Sequence, residues 1–390
     1  MYFSPSFAVL SLFIASALAA PTTTLHTIET FDGEKTGRFL VTLKPGVSKT
    51  SLVDQIKKNA TVTHEWDLIN GFAGNFDDNT LNTLRANPDV ESIAEDGIMH
   101  TMVTQTNAPW GLSRLSSTTK LSNTNTNALT FTYTYDASAG SGVDIFIVDT
   151  GIFTSHSQFG GRARWGSTFG PYADADGNGH GTHCSGTAAG SQFGVAKSAN
   201  LVAVKVLSDA GSGAVSDIVS GLNFVGQQHS SSGRPTVASM SLGGGASTAL
   251  DNAVASLTSG GVHVTVAAGN DGADAGSTSP ARAPSAITVG AMTISDARAS
   301  FSNFGSVVDI FAPGQNVISA WIGSTTATNN ISGTSMASAT PHVAGLVAYL
   351  IGLRGNMTPA SMSTLIKSLS LKGALSGISS GTLNDLAHNA

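Results

Sequence analysis

Short, almost continuous apolar runs alternate with amphipathic stretches through residues 103–390. Several of these runs have the unbroken apolar character of strands buried on both faces of a sheet: VDIFIVD, ANLVAVKVL, TVASMSL, VHVTVAAGN and AITVGAM. Between them, VSDIVSGLNFVGQQH and TALDNAVASLTSG have the apolar spacing that is typical of helices. The alternation predicts an α/β fold with a doubly wound, mainly parallel sheet, whose ligands bind at the carboxyl ends of the strands.

A different order of elements precedes this region. RFLVTLK is predicted as a strand, residues 51–58 as a helix, and TVTHEWDLIN and GFAGNFD as paired strands. NTLNTLRAN follows as a helix and DVESIAED as a closing strand. The resulting β-α-β-β-α-β order predicts a small ferredoxin-like α+β unit.

The first residues have the pattern of a secretory signal peptide. Residues 7–14 are apolar but too short to cross a bilayer, and the segment 17–19 (ALA) offers a cleavage site. We therefore expect a signal peptide at 1–19, a small unit at 20–102 and a large domain at 103–390, and we expect the protein to be secreted and extracellular. No later apolar run approaches the length of a membrane span, so no membrane partner is predicted.

Composition narrows the functional classes. Hydrophobic residues make up 41% of the 390 residues and charged residues 11%, which suits a large compact core. The net charge of -6, without a basic run, gives no reason to expect nucleic-acid binding. A chain with one cysteine forms no internal disulfide. Residues 103–390 contain no glutamate, which excludes a glutamate base and a His-Glu-x-x-His zinc motif there.

Three polar positions at the ends of predicted strands or turns could carry chemistry. Asp149 ends the run VDIFIVD, where a partly desolvated carboxylate can hold an imidazole in one tautomer. Asn270 follows another strand, and its amide could stabilise an oxyanion. Ser335 precedes an apolar helix, near free backbone N–H groups. Taken singly, a turn aspartate, a turn asparagine and an N-cap serine are the commoner interpretations.

The glycine-rich stretch DGNGHGTHCSGTAAG contains His180, His183 and Cys184. From the residues alone it could be a metal site, a redox site or the base of a nucleophilic enzyme. The glycines keep side chains away from the histidines, so another group, such as a substrate, could occupy that space.

Together these stretches resemble the subtilisin-like serine proteases, most closely the secreted proteinase K group of fungi. VDTGI, GHGTHC, SLGGG, AAGN and GTSMA occur in the order of that family, and QTNAPWGL resembles the start of its mature enzymes. Residues 38–101 resemble the family's inhibitory propeptide. The resemblance implies a serine endopeptidase at 103–390 that needs no catalytic cofactor, acts on polypeptide substrates, is inhibited by its own propeptide and is a monomer.

The resemblance also implies residue roles. Ser335 would be the nucleophile, His180 the general base, Asp149 the residue that orients it and Asn270 an oxyanion donor. His183 would be structural and Cys184 a buried thiol beneath the base. A His-x-x-His-Cys zinc site stays open in principle, because these ligand types suit zinc, although no fourth ligand is evident.

Substrate would bind as an added strand, as in the family's extended-peptide mode. The edges that receive it would be residues 211–215 and 241–243, and small residues would line an S1 pocket for a broad range of apolar or aromatic side chains. The predicted substrate-binding residues are Gly211, Ser212, Gly213, Ser241, Leu242, Gly243, Ala267, Ala268 and Gly269.

Further expectations follow from the same family. A structural calcium ion would be held by the Asp309 carboxylate and the carbonyls of Pro284 and Ala286, because hard oxygen ligands suit this ion. A second calcium site would be lost, since Ala374 stands where its aspartate would be. Cleavage between Met102 and Val103 would release the propeptide. Asn59, Asn330 and Asn356 lie in sequons for N-glycosylation.

The sequence departs from the family pattern after the nucleophile. GTSMASATPHVAGL is two residues longer, at Ser338 and Ala339, and two residues turn a helix by about 200°. Either the chain bulges between Met336 and Pro341 or activity is damaged, so one alternative is a catalytically impaired binding protein with the same fold. Another is an α/β-hydrolase esterase, for which GISSG (377–381) precedes Asp385 and His388, although so short a spacing leaves no room for the required strand, elbow and helix.

Overall fold

The computed structural model describes residues 25–31, 35–58, 60–99, 101–334 and 339–389. The chain divides into two compact units, one up to Ile98 and one from Met99. The predicted signal peptide, Asn59 and Ser335 lie outside the described residues. No helix in the described ranges is long and apolar enough to cross a membrane.

The N-terminal unit is an open sheet packed against two helices. Its sheet has the order β1-β5-β2-β4-β3, and apart from the parallel pair β1/β5 the strands are antiparallel. Its elements are β1 (Ile28–Glu29), β2 (Lys35–Leu43), α1 (Lys49–Ile56), β3 (Thr61–Trp66), β4 (Gly71–Asn75), α2 (Asp78–Ala86) and β5 (Val90–Gly97). Leu52, Val53 and Leu84 of the helices pack on the sheet with Val41 and Phe72. The predicted ferredoxin-like order from β2 to β5 is confirmed.

The C-terminal unit contains the longer list of elements. Its strands are β6 (Met102–Ala108), β7 (Phe131–Asp136), β8 (Asp144–Asp149), β9 (Ala163–Thr168), β10 (Asn200–Lys205), β11 (Thr236–Met240), β12 (Gly244–Gly245), β13 (His263–Ala267), β14 (Thr278–Ser279), β15 (Ile287–Met292), β16 (Ile310–Pro313), β17 (Val317–Ala320), β18 (Thr328–Ile331), β19 (Leu371–Lys372) and β20 (Asp385–Leu386). Its helices are α3 (Trp110–Leu115), α4 (His180–Ala189), α5 (Val215–Ser232), α6 (Thr248–Ser259), α7 (Ala339–Arg354) and α8 (Pro359–Leu369).

A nine-stranded sheet runs through this unit in the order β19-β20-β16-β15-β13-β11-β8-β10-β9. Every neighbouring pair from β20 to β9 is parallel, and β19 is antiparallel to β20. The predicted doubly wound, mainly parallel sheet is therefore confirmed. The five predicted apolar runs form the central strands β8, β10, β11, β13 and β15.

Alternate side chains of β8 enter two different cores, because successive residues of a strand point to opposite faces. Ile145 and Ile147 belong to the core that contains α4 and α7. Phe146 and Val148 belong to the core that contains α5 and α6. Burial of one apolar side chain stabilises the fold by roughly 1.5–3 kcal/mol, and β8 has such side chains on both faces. The position of β8 at the centre of the sheet is therefore well fixed, and so is that of the residue at its carboxyl end.

Candidate active site

Asp149 is the last residue of β8, at the carboxyl end of the parallel sheet. Its side chain is fully buried, and Oδ1 accepts the N–H of Thr150 at 2.7 Å. A buried carboxylate is costly unless it is hydrogen-bonded, so a partner is required at this position.

His180 supplies that partner as the first residue of α4. Its Nδ1 lies 2.6 Å from Asp149 Oδ1, and the contact is buried. The residue before it, Gly179, has φ +102°, which favours glycine, and a Cβ there would lie 2.6 Å from the Trp321 ring. A Cβ on Gly181 would lie 2.1 Å from the carbonyl oxygen of Gly151. The glycines around His180 thus serve close packing of protein groups, a different reason from the space for substrate that the sequence suggested.

The environment of His180 alters its acidity. Burial disfavours the imidazolium, but the adjacent Asp149 carboxylate, together with the contact to Cys184, outweighs burial and holds the pKa of His180 well above its ordinary value. Burial also raises the pKa of Cys184, so its thiol stays neutral near pH 7. Cys184 Sγ lies 3.8 Å from Asp149 Oδ2 and 3.9 Å from His180 Nδ1. It packs beneath the Asp–His pair.

The zinc alternative requires His183 next to His180 and Cys184. His183 instead places its Nε2 at 3.1 Å from the carbonyl oxygen of Val317 and 3.2 Å from that of Asn329. The ligand atoms that do come together, within 4.8 Å, belong to Asp149, His180 and Cys184. The short hydrogen bond between Asp149 and His180 already occupies Nδ1, so the ligand set of the zinc alternative is not assembled.

Asn270 lies after β13, and its side chain is held beside the residue that precedes the predicted nucleophile. Its Oδ1 accepts the N–H of Thr334 at 2.7 Å and the Thr334 hydroxyl at 2.8 Å. The same hydroxyl accepts the N–H of Gly269 at 3.0 Å. Because Oδ1 is the acceptor in both contacts, the amide's orientation is fixed and Nδ2 is the donor end. Thr334, which the sequence did not single out, therefore positions Asn270.

Two cavities lie next to these residues. One of about 600 Å³ is lined by His180 and by all six predicted edge residues, Gly211, Ser212, Gly213, Ser241, Leu242 and Gly243. A second, of about 440 Å³, is lined by Ala267, Gly269 and Asn270 together with Leu242 and Gly243. Ala268 lines neither cavity: its side chain is buried in the core, which corrects the prediction at this position.

The apolar lining of the larger cavity includes Val215, from the predicted edge 211–215, and three residues that sequence reasoning missed, Leu207, Ile218 and Leu250. Leu207 follows a core strand, and the others belong to the amphipathic helices α5 and α6, where a sequence pattern gives no means of separating cavity-lining from core side chains.

Comparison with known proteins identifies the family to which this arrangement belongs. The profile of the subtilase family (Peptidase S8) matches residues 140–382, and that of the peptidase inhibitor I9 family matches residues 37–102. The chain belongs to the subtilase family. Its C-terminal part is therefore a serine endopeptidase that needs no catalytic cofactor, and an inhibitor-type propeptide precedes this part.

Individual subtilases are similar over most of the chain. A cuticle-degrading protease of Metarhizium anisopliae is 44% identical over 90% of this chain and 89% of its own length. A subtilisin-like serine protease of Cochliobolus lunatus is 46% identical over 84% of this chain and 69% of its own length. The crystal structure of a cold-adapted subtilisin-like serine proteinase matches with a TM-score of 0.65 and 45% identity, covering 73% of this chain and 99% of the other.

The predicted calcium site can be tested against the contacts of Asp309. Its Oδ1 lies 3.1 Å from the ammonium of Lys367, and its Oδ2 accepts the N–H of Thr288 at 2.9 Å. Calcium prefers several free, negatively charged oxygen ligands, and an ammonium in contact with the carboxylate repels a divalent cation. As placed, Asp309 with the carbonyls of Pro284 and Ala286 does not fit a calcium ion.

The esterase alternative also fails on local structure. Residues 377–381 form part of the loop between β19 and β20, not a strand, elbow and helix. Asp385 pairs with Lys372 at 2.5 Å. The GISSG match is therefore a coincidence of sequence in a subtilase.

Proposed function

We propose that this subtilase is a secreted endopeptidase that cleaves polypeptides after a broad range of apolar or aromatic residues through Asp149, His180 and Ser335. The 2.6 Å contact between His180 Nδ1 and Asp149 Oδ1 is the observation that carries the proposal. It leaves Nε2 as the imidazole atom for exchanging a proton with a nucleophile, which is the arrangement that acyl transfer by a serine requires.

In the proposed mechanism, His180 Nε2 takes the hydroxyl proton of Ser335 while Oγ attacks the scissile carbonyl carbon. The C=O electron pair moves to the oxygen, and Asn270 Nδ2 donates a hydrogen bond to that oxyanion. When the C–N bond breaks, the leaving amine takes the proton from His180. Water then repeats the sequence on the acyl-enzyme and releases the new carboxylate. Asp149 keeps its hydrogen bond to His180 Nδ1 and stabilises the imidazolium.

The substrate class is inferred from the two cavities. In the smaller cavity, Ala267 and Gly269 contribute little side-chain volume, which favours a large apolar or aromatic P1 side chain. The apolar residues that line the larger cavity favour an apolar residue further along the peptide. The edge at 211–213 is exposed and lines the larger cavity, and its two glycines carry no side chain that would obstruct an extended peptide.

Maturation is part of the same proposal. We expect removal of 1–19 on secretion, action of 20–102 as folding aid and inhibitor, and cleavage between Met102 and Val103. The Met102 side chain is 61% exposed and apolar, as a P1 residue of this enzyme would be. The monomeric state and glycosylation at the three sequons stay predictions. Calcium is left out of the proposal because of the Lys367 contact described above.

The test is incubation of the purified, matured protein with casein, with and without a serine-directed phosphonylating inhibitor, followed by mass spectrometry of the adduct. We expect proteolysis that the inhibitor abolishes, and a single adduct on Ser335. Ser335→Ala should lower turnover by several powers of ten, and its N-terminus should remain upstream of Val103.

Ser379→Ala, in the GISSG loop, is the matched control and should retain full activity. Undiminished proteolysis by Ser335→Ala would overturn the assignment. A wild-type protein that folds and binds peptides without turnover would instead favour the catalytically impaired alternative, against which family membership speaks.

A further inference from the structure

Asp176 lies four residues before His180, and its buried carboxylate accepts five hydrogen bonds. Oδ1 accepts the Thr150 hydroxyl at 2.9 Å, the N–H of Asn178 at 3.1 Å and the N–H of Gly179 at 2.8 Å. Oδ2 accepts the N–H of Thr182 at 3.0 Å and its hydroxyl at 2.6 Å. All five donors are uncharged groups.

Two of the acceptor contacts secure the start of α4. The N-cap residue is Gly179, which has no side chain to satisfy the first N–H groups of the helix. Asp176 takes over this task from outside the helix, by accepting the N–H groups of Gly179 and Thr182. A carboxylate at a helix N-terminus also interacts favourably with the helix dipole. The position of His180, between these two N–H groups, is thereby fixed.

Thr150 ties the same carboxylate to the strand that carries Asp149. Its hydroxyl donates to Asp176 Oδ1 at 2.9 Å and accepts the N–H of Gly181 at 3.0 Å. Thr150 directly follows Asp149, and Gly181 directly follows His180. The chain of contacts therefore joins the backbone next to Asp149 to the backbone next to His180.

We propose that Asp176 is a positioning residue that, through Thr150, sets the separation between Asp149 and His180. The inference rests on the proposed function, because it concerns the proton transfer of that site. Asp176 does not contact the reacting atoms. Its effect is on the orientation of the His180 ring, and so on the transition state more than on the binding of substrate.

The test is Asp176→Asn in the full chain after maturation, with activity expressed per active site titrated by the phosphonylating inhibitor. An amide keeps the size of the side chain but presents its NH2 group to N–H or O–H donors on one side, so the helix start must shift. We expect kcat to fall about 10- to 100-fold with KM changed less than about threefold, the pattern of lost orientation. The acid limb of kcat/KM should move to lower pH, because the Asp149 contact that raises the pKa of His180 is weakened.

Thr150→Val is the second variant, in case Asp176→Asn does not fold. It removes the hydrogen bond from the Thr150 hydroxyl to Asp176 without changing any charge. We expect kcat and the acid limb of kcat/KM to change in the same directions as in Asp176→Asn, by smaller amounts. Proton NMR of the His180 Nδ1–H, which responds to the Asp149 hydrogen bond, should show a shifted or faster-exchanging signal in both variants. Asp174→Asn removes an equal charge from an exposed position two residues away and should behave as wild type.

The outcomes separate the two proposals. A wild-type protein without inhibitor-sensitive proteolysis contradicts the proposed function itself. An active wild type whose kcat, pH limb and Nδ1–H signal are unchanged in Asp176→Asn and Thr150→Val overturns the positioning role alone. Equal effects of Asp174→Asn and Asp176→Asn would reduce the role to a general effect of charge, and would likewise overturn it.

Discussion

His180 and Cys184 share one turn of α4 and the same buried neighbour, Asp149, whose negative charge favours the protonated form of both side chains. A negative charge favours the protonated imidazole and disfavours a thiolate. The pKa of His180 is therefore raised and the thiol is kept neutral. Because a neutral thiol carries no charge, we expect the Asp149 carboxylate to contribute more than Cys184 to the raised pKa of His180, although the contact with Cys184 also raises it.

The charge of Asp149 next to His180 gives a prediction for the pH profile of the enzyme. The base must be neutral to act, so the acid limb of kcat/KM should lie above the ordinary histidine value of about 6.5. Asp149→Asn should lower kcat by about 10⁴-fold and move the limb to lower pH. Cys184→Ala should move the limb in the same direction but by much less, because the thiol contributes less than the carboxylate to the raised pKa of His180. An equal movement of the limb in Cys184→Ala and Asp149→Asn would show that the thiol carries charge.

A second prediction at the residue scale concerns Asn270. Replacing it with alanine removes the proposed oxyanion donor, and kcat should fall about 10²–10³-fold, the size reported for such a donor in a subtilisin. KM should change little, because the contact strengthens in the transition state. Steady-state kinetics on a chromogenic peptide measure both.

Asn270→Asp is the matched control, because it keeps the oxygen that accepts from Thr334 but loses the NH2 donor. It should be at least as inactive as Asn270→Ala. A large rise in KM at constant kcat in either variant would assign Asn270 to ground-state binding.

At the scale of elements, α4 shows where sequence patterns stop being informative. HGTHCSGTAA has weak helix formers and two glycines, and the sequence did not predict a helix there. All of its residues are buried, so no polar face gives the 3.6-residue period. Tertiary packing and the hydrogen bonds at its N-terminus stabilise this helix instead of its intrinsic helix propensity. The edge strand β9 was missed for the opposite reason, because all its residues are partly or fully exposed and no apolar run marks it.

The predictions of helices and strands were correct where burial leaves a clear apolar pattern in the sequence. VDIFIVD predicted β8 to within one residue, since both its faces are buried and its side chains are apolar. The motifs placed Asp149 and His180 in the site, whereas Asp176 and Thr334 were missed. Their roles depend on contacts between segments distant in the chain, and an aspartate or threonine in a turn has the same local pattern with or without such contacts.

The two additional residues give the prediction at this scale. The described part of α7 begins at Ala339, and residues 340–350 are buried. A helix that begins near Thr340 would accommodate Pro341, because proline is tolerated in the first turn of a helix. Thr340 reaches back to the carbonyl oxygen of Thr334 through its N–H at 3.4 Å and its hydroxyl at 3.0 Å. We expect the extra length to be absorbed between Met336 and Pro341, a segment that lies largely outside the described residues.

Deleting Ser338 and Ala339 should then preserve or raise both the melting temperature and kcat/KM, because the chain returns to the family length while the apolar face of α7 stays in the core. Thermal unfolding and peptide hydrolysis measure the two effects. A clear loss of either would show that this chain depends on the longer segment, for instance through the contacts between Thr340 and Thr334.

At the scale of the whole molecule, each unit has its own core, and the C-terminal unit has two, one on either side of the nine-stranded sheet, without an internal disulfide. α8 packs at the edge of one of these cores through Met362 and Ile366. The Lys367–Asp309 pair ties α8 to the residue before β16. The ammonium of Lys367 occupies the place where the family resemblance predicted a calcium ion. Whether Lys367 or a calcium ion neutralises Asp309 therefore decides whether the melting temperature responds to calcium.

The last prediction follows from this pair. Chelator should leave the melting temperature of the wild type unchanged, because Asp309 is neutralised by Lys367. Lys367→Met should lower the melting temperature by about 1–3 °C, the effect of a partly exposed ion pair, and calcium should restore it by binding the uncovered carboxylate. Lys372→Met, which breaks the pair with Asp385, is the matched control and should lose a similar amount with no response to calcium. A fall in the wild-type melting temperature on chelation would show that calcium binds despite the lysine, and a Lys367→Met variant indifferent to calcium would show that Asp309 and its neighbouring carbonyls do not form an ion site at all.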